Sequence, residues 1–356
     1  MSGKWVREGR GKNASERHED ADGLGSRRLQ APLGQGEALA RWLRQARQLA
    51  LPHGFLIEGP RGAGKSTVID WFTAALLCPS DLDPDGPCGM CRTCTRIANR
   101  QHPDVHVLDL AQDEDERKEL KKSFYELTVG QVRQAQERLA RHAVEGRARV
   151  LVIEDADHLA EEGQNALLKT LEEPGQATFL LLEAARPEQL LPTVRSRAQR
   201  LRVLPLPAAV LERELSRRVP QHTNRFAAAI ALADGSLGQA LFACTEHAVQ
   251  LHDLVRTVLA DVHRLRPVAV ARAVLDGAEE RRLELDAARS FLWILRAELR
   301  HRRDALAAAS GDSYGATSAE PWTTWLELTL AAERDLDVLI PPEQVLTACL
   351  VQFGMA

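Results

Sequence analysis

Apolar and polar positions along the chain switch between two periods. Unbroken apolar runs at 55–57 (Phe55-Leu56-Ile57), at 150–153 and at 179–182 within an expected strand at 178–182 predict strands covered on both faces, because a strand wetted on one side alternates. A further strand is expected at 200–203. Between these runs apolar residues recur at helical spacing. They do so at Leu39, Leu43, Ala46 and Leu49 within 36–49, and at Val68, Ile69, Phe72, Ala75 and Leu76. The spacing returns at Val132, Ala135, Leu139 and Ala143 within 127–143, and at Ala166, Leu167, Thr170 and Leu171 within 159–173, where Pro174 limits the helix. Strands alternating with helices predict an α/β fold with a doubly wound parallel sheet. Pro205 and Pro207 mark a boundary. Beyond them the pattern is helical at 210–218, 225–233 and 237–249 and through a long tail, in which 311–322 is the one expected loop. Leu251, Leu254, Val258 and Val262, and Leu292, Leu295 and Leu299, form helix faces that core packing explains.

The first strand runs into Gly59-Pro60-Arg61-Gly62-Ala63-Gly64-Lys65-Ser66-Thr67, which fits GxxxxGK[ST]. Strand, glycine loop and helix form the context in which that pattern is a phosphate loop. Its backbone N–H groups and the helix N-terminus would cradle phosphate, Lys65 would reach the β- and γ-phosphates, and Ser66 would help hold Mg²⁺. The run at 150–153 ends in Glu154-Asp155-Ala156-Asp157. Acids at a strand tip beside a phosphate loop are placed to manage a phosphate-bound Mg²⁺ and an attacking water. His53 has no spaced partner and reads as a packing or capping residue.

Four of the six cysteines, Cys78, Cys88, Cys91 and Cys94, fall within seventeen residues rich in Pro, Gly and Asp. That set can build a closed tetrahedral Zn²⁺ site with a structural role. The alternative is a redox pair beside two unrelated thiols, which leaves two cysteines without a purpose.

Bulk properties narrow the remaining classes. The 356 residues allow two or three domains. A net charge of −4 excludes the chain-wide basic field of an autonomous nucleic-acid binder, and 4% aromatics leave little for base stacking. No apolar run approaches the ~20 residues of a membrane span, and no signal-peptide core is present, so a cytoplasmic protein is expected. Residues 1–30 read as a disordered extension and 111–122 as a solvated charge run.

The segments LPHGFLIEGPRGAGKST, HPDVHVLDL, VLVIEDADHL, NALLKTLEEP and LLPTVRSRAQ, together with the four-cysteine insert, resemble the bacterial clamp-loader AAA+ proteins. The delta-prime branch of the DNA polymerase III subunits is the most similar. The motifs cover 51–203, and Asn165 to Pro174 is the most diagnostic. Of the YRP…GQ opening usual in gamma/tau subunits only Gly34-Gln35 is left, which favours delta-prime. The resemblance implies an AAA+ nucleotide-binding domain at 31–204 with a zinc insert at 78–94, a helical lid at 205–246 and a helical collar at 247–356. It also implies ATP with Mg²⁺, and gamma/tau and delta as partners in a hetero-pentameric ring that places a sliding clamp on primed DNA. The family's Ser-Arg-Cys motif falls on Ser196-Arg197-Ala198, so Arg197 is the implied arginine finger for a neighbouring ATP site.

Three departures from an active ATPase of that family stand out. The acidic pair is inverted to Glu154-Asp155, displacing each carboxylate by one methylene. The polar residue expected after the 178–182 strand is Ala184. The lid arginine of GS-x-R-x-A-L is Gly238. Together they predict a subunit that binds nucleotide, hydrolyses it weakly or not at all, and acts as a stator within a DNA polymerase holoenzyme. A gamma/tau-type motor using Glu154 and Asp155 in swapped roles is the alternative, with an AAA+ protein outside replication as a weaker third.

Overall fold

The computed structural model describes residues 28–47, 52–79, 86–109, 127–140, 143–145, 148–278, 281–310, 316–336 and 340–355. The expected extension at 1–30, apart from residues 28–30, and the charge run at 111–122 lie outside the described residues. The chain forms two compact units: the described residues up to Leu211 with Gly235–Gly238, and Glu212–Asp234 with Gln239–Ala356.

The first unit is built on five parallel strands, β1 (Gly54–Glu58), β2 (Val105–Leu108), β3 (Arg149–Ile153), β4 (Thr178–Ala184) and β5 (Gln199–Arg202), in the order β2-β3-β4-β1-β5. Its helices are α1 (Gly36–Arg47), α2 (Lys65–Leu77), α3 (Arg92–Ala98), α4 (Val129–Leu139), α5 (Glu161–Glu172) and α6 (Pro192–Arg195). The double covering read from the apolar runs is present. Phe55, Ile57, Val150, Val152 and Leu181 pack with α1 and α2, while Leu56, Leu151, Ile153, Leu180 and Leu182 pack with α4 and α5. Trp42, Phe55 and Phe72 interlock on the first side with ring centroids 4.6–5.0 Å apart. His53 is a packing residue as expected, hydrogen-bonded through Nδ1 to the Thr178 carbonyl at 2.8 Å and stacked on Phe179.

Two elements of this unit escape the apolar pattern. The β2 strand is an edge paired only with β3, so His106 and its half-buried neighbours show no buried run. Helix α3 has only seven residues and starts inside the cysteine insert, too short to show a period. Thr128 closes a capping box with Gln131, which starts α4 two residues later than the apolar pattern suggests.

The second unit is helical: most of α7 (Ala208–Arg218), α8 (Phe226–Ala233), most of α9 (Leu237–Ala243), α10 (Glu246–Ala260), α11 (Pro267–Leu275), α12 (Arg281–Ser310), α13 (Ala316–Asp335) and α14 (Pro342–Met355). The thirty-residue α12 is its spine. It buries Leu285, Phe291, Leu292, Leu295 and Leu299 and packs against α10, α11, α13 and α14. Two expectations fail here. The helix expected at 237–249 breaks at Thr245, whose hydroxyl accepts from the Ala248 amide and caps α10. The loop expected at 311–322 is helical from Ala316, while 311–315 lie outside the described residues. Packing overrides the Gly, Ser and Pro signal: Trp325 stacks on Phe353 of α14 with centroids 5.3 Å apart, and Trp322 meets Trp325.

Candidate functional site: phosphate loop, acidic strand tip and cysteine cluster

The C-terminal ends of β1, β3 and β4 share one edge of the sheet, so the glycine loop after β1 and the acids after β3 converge there. Gly64 at φ 98° turns the loop into α2, a helix with no acidic residue in its first turn to compete for an anion. The Lys65 side chain is 5% exposed and donates to the Pro60 carbonyl at 3.1 Å. It also lies 3.5 Å from Glu183, and the Ser66 hydroxyl donates to the same carboxylate at 3.2 Å. Burial pushes the Glu183 carboxyl up to about 7 against the pull of Lys65, and the charges of Glu154 and Asp155 add to the rise.

Glu154, the first acid of the inverted pair, is already engaged. Glu154 Oε1 is 2.6 Å from Arg100 Nη2, and the same guanidinium nitrogen is 3.3 Å from Asp70 of α2. Burial works against the Arg100 charge, and Glu154 and Asp70 more than offset it, so the group is held firmly cationic. Asp155 stands in the left-handed region at φ 48° and leads the chain into a single 3₁₀ turn. Buried Asp157 is oriented by the Arg186 amide at 3.1 Å. Ala184, where a polar residue was expected, is fully buried.

Arg100 holds its position at a conformational cost. The Gln101 amide bonds to the Arg96 carbonyl and the Arg100 amide to that of Ile97, which is a Schellman ending of α3. The residue at that point is left-handed and usually glycine; here it is arginine at φ 59°. Neither Arg100 nor Glu183 was singled out by the sequence. An arginine where a helix stop wants glycine is the one signal for the first. A lone carboxylate inside the apolar run of β4 is the signal for the second.

Gly238 approaches the loop closely. Its amide donates to the Gly62 carbonyl at 3.1 Å and the Ser236 hydroxyl to that of Arg61 at 3.3 Å. A Cβ on Gly238 would sit 3.1 Å from Gly62 backbone atoms. A side chain at 238 would therefore require Gly62 to give way by a few tenths of an ångström. Arg197 stands apart at the start of the path into β5. It is ion-paired with Glu172 through Nε at 2.7 Å and Nη2 at 2.5 Å, and it donates to the Thr193 carbonyl at 3.0 Å. Both partners are more than a third exposed.

The four cysteines come together. Cys78 caps α2, Cys91 caps α3 by accepting from the Cys94 amide, and all four sulfurs lie within 4.8 Å of one another. The separations Cys78–Cys88 3.6 Å, Cys78–Cys91 3.9 Å and Cys88–Cys94 4.0 Å match the ~3.8 Å edge of a tetrahedron with Zn–S bonds of about 2.3 Å. Burial, then the neighbouring sulfurs, pushes the Cys94 thiol well up against a lowering hydrogen bond from the Gly89 backbone. Four thiols crowded in this way suit a divalent cation, which would reverse that balance. The donor set fits zinc.

Residues 34–207 match the family described as "DNA polymerase III, delta subunit". The chain is 34% identical over 199 residues to the DNA polymerase III subunit delta' of Pseudomonas aeruginosa, covering 55% of this chain and 57% of that one. To the subunit delta' of Escherichia coli K12 it is 36% identical over 191 residues, covering 53% of each chain. Over this stretch the chain is similar to DNA polymerase III delta-prime subunits. The chain is similar to gamma/tau subunits as well: the DNA polymerase III subunit gamma/tau of Mycobacterium tuberculosis is 28% identical over 165 residues, covering 46% of this chain and 26% of that one. The chain spans little more than half the length of the delta-prime relatives it matches. No helix among the described residues is long and apolar enough to cross a membrane.

Proposed function

We infer that the chain is a delta-prime-type clamp-loader subunit working as a stator: it binds nucleotide with little or no hydrolysis and lends Arg197 to the ATP site of a neighbouring subunit. One observation carries this reading: Glu154, the acid nearest the role of Mg²⁺ ligand, is held by Arg100. A carboxylate kept in a salt bridge is a poor partner for Mg²⁺ and water, and a misplacement near 1 Å can cost about 10²-fold in rate. Buried Ala184 and the close seat of Gly238 on Gly62 weaken hydrolysis further, and they disfavour the gamma/tau-type motor reading. Arg197 is suited to act in trans, since it gives up only an exposed pair with Glu172 and an exposed hydrogen bond to the Thr193 carbonyl. A guanidinium supplied by a partner neutralises charge on the transferring phosphate, an effect of about 10³–10⁵ in other systems.

In this reading ATP with Mg²⁺ occupies the loop of residues 59–67, and Zn²⁺ on Cys78, Cys88, Cys91 and Cys94 fixes the insert. Residues 31–204 serve as the nucleotide-binding domain, 205–246 as a lid and 247–356 as the collar joining gamma/tau and delta subunits. The ring so formed acts on a sliding clamp and primed DNA. The test is turnover by the isolated chain, beside an Arg197→Ala variant mixed with its cognate ATPase subunits. Binding without turnover, and a partner ATPase that collapses with the variant, is expected. Sustained turnover by the chain alone, lost on Lys65→Ala, would replace the stator with a motor.

A further inference from the structure

The groups that a phosphate loop keeps for its ligand are not idle in this chain. Lys65 and Ser66 are the two side chains assigned to the phosphates and their metal, and a single carboxylate engages both: one Glu183 oxygen faces Lys65 and the other accepts from Ser66. Glu183 occupies the next-to-last position of β4, in register with Ile57 of β1, and Glu58 leads from β1 into the loop. Its side chain is 12% exposed and its neighbours Leu181, Leu182 and Ala184 are fully buried. A charge at such a position is costly unless paired, and its pairing here is with the anion-binding machinery itself. On the acidic side of the same site Arg100 holds Glu154.

We propose that Glu183 is a built-in counter-ion of the phosphate loop, occupying Lys65 and Ser66 in place of phosphate, so that a nucleotide is bound only by displacing it. The two anions compete for one ammonium and one hydroxyl, and a phosphate chain brought beside the carboxylate is repelled by it. Glu183 thus sets how weakly the loop holds nucleotide.

The proposal rests on the nucleotide-binding reading above, and the experiment separates the two. ADP binding to the full-length chain is measured by titration calorimetry, with and without Mg²⁺, for wild type, Glu183→Gln and Glu183→Ala. The glutamine variant keeps the shape of the side chain and the alanine variant removes it, so a folding defect in one leaves the other as the probe. Dissociation constants at least 10-fold lower in the variants are expected. Wild-type binding left unchanged, or weakened, in both variants overturns the counter-ion role and leaves the nucleotide reading standing. Binding by the variants but not by wild type supports the role and removes nucleotide binding from the native chain's function. Absence of binding in all three forms overturns both.

Discussion

Replacing Arg100 tests how the insert and the acidic strand tip are joined. Its guanidinium is shared between Glu154 at 2.6 Å and Asp70 at 3.3 Å, and all three side chains are about one-fifth exposed. Exposed pairs contribute about 0–1 kcal/mol, whereas removing one partner of a buried pair costs about 3–5. With one-fifth exposure Arg100→Ala should fall between, at about 2–3 kcal/mol. Arg100→Gly loses the same pair but relieves the left-handed backbone at φ 59°, which recovers about 1 kcal/mol. Arginine, glycine, alanine is therefore the expected order of stability. Hydrogen exchange across β1 and β3 in increasing urea reads this unit by itself, without assuming that the whole chain unfolds in one step. A cycle with Glu154→Ala should return a coupling of about 1–3 kcal/mol. Additivity within about 0.5 kcal/mol would refute the assigned ion pair, and a glycine variant less stable than the alanine one would refute the left-handed helix ending at Arg100.

The chain purified without added zinc should carry about one zinc, lost in Cys94→Ser; near-zero metal with four titratable thiols would sink the cysteine site. Cys91 opens α3 and Arg100 follows its end, so stripping the metal should speed exchange at β3 much as Arg100→Ala does. An alanine at 238 would gain about 1 kcal/mol of helix propensity in an open setting. Here its Cβ is pressed to 3.1 Å from Gly62, so Gly238→Ala should be neutral to destabilising by urea denaturation, and Gly238→Arg should not raise turnover. A full 1 kcal/mol gain would show that Gly238 does not rest on the loop.

What could be read from the sequence follows physical reach. The β1, β3 and β4 strands were visible because a parallel strand buried on both sides is written as an apolar run, and the four cysteines because a metal site needs a fixed donor count. The phosphate loop was visible through its glycines, whose spacing is itself the requirement. The edge strand β2 was hidden by its half-wetted faces, and the helix from Ala316 by a stacking partner at Phe353, far along the chain. Arg100 and Glu183 carried only a faint local signal each, because their roles arise when the fold sets them against Glu154 or Lys65. The inverted Glu154-Asp155 order was legible in the sequence, but the salt bridge that holds Glu154 joins residues 54 positions apart.

The order β2-β3-β4-β1-β5 has a consequence for the birth of the protein on the ribosome. The phosphate-loop strand β1 lies between β4 and β5, and both are made long after it. About 120 residues separate the end of β1 from the start of β4. At about 5–20 residues per second the nascent chain holds Phe55, Leu56 and Ile57 without a pairing partner for roughly 6–24 s. During that interval the apolar strand is exposed to wrong partners and to chaperones. Slowing translation between β1 and β4 should therefore lower the soluble yield more than slowing it after β5.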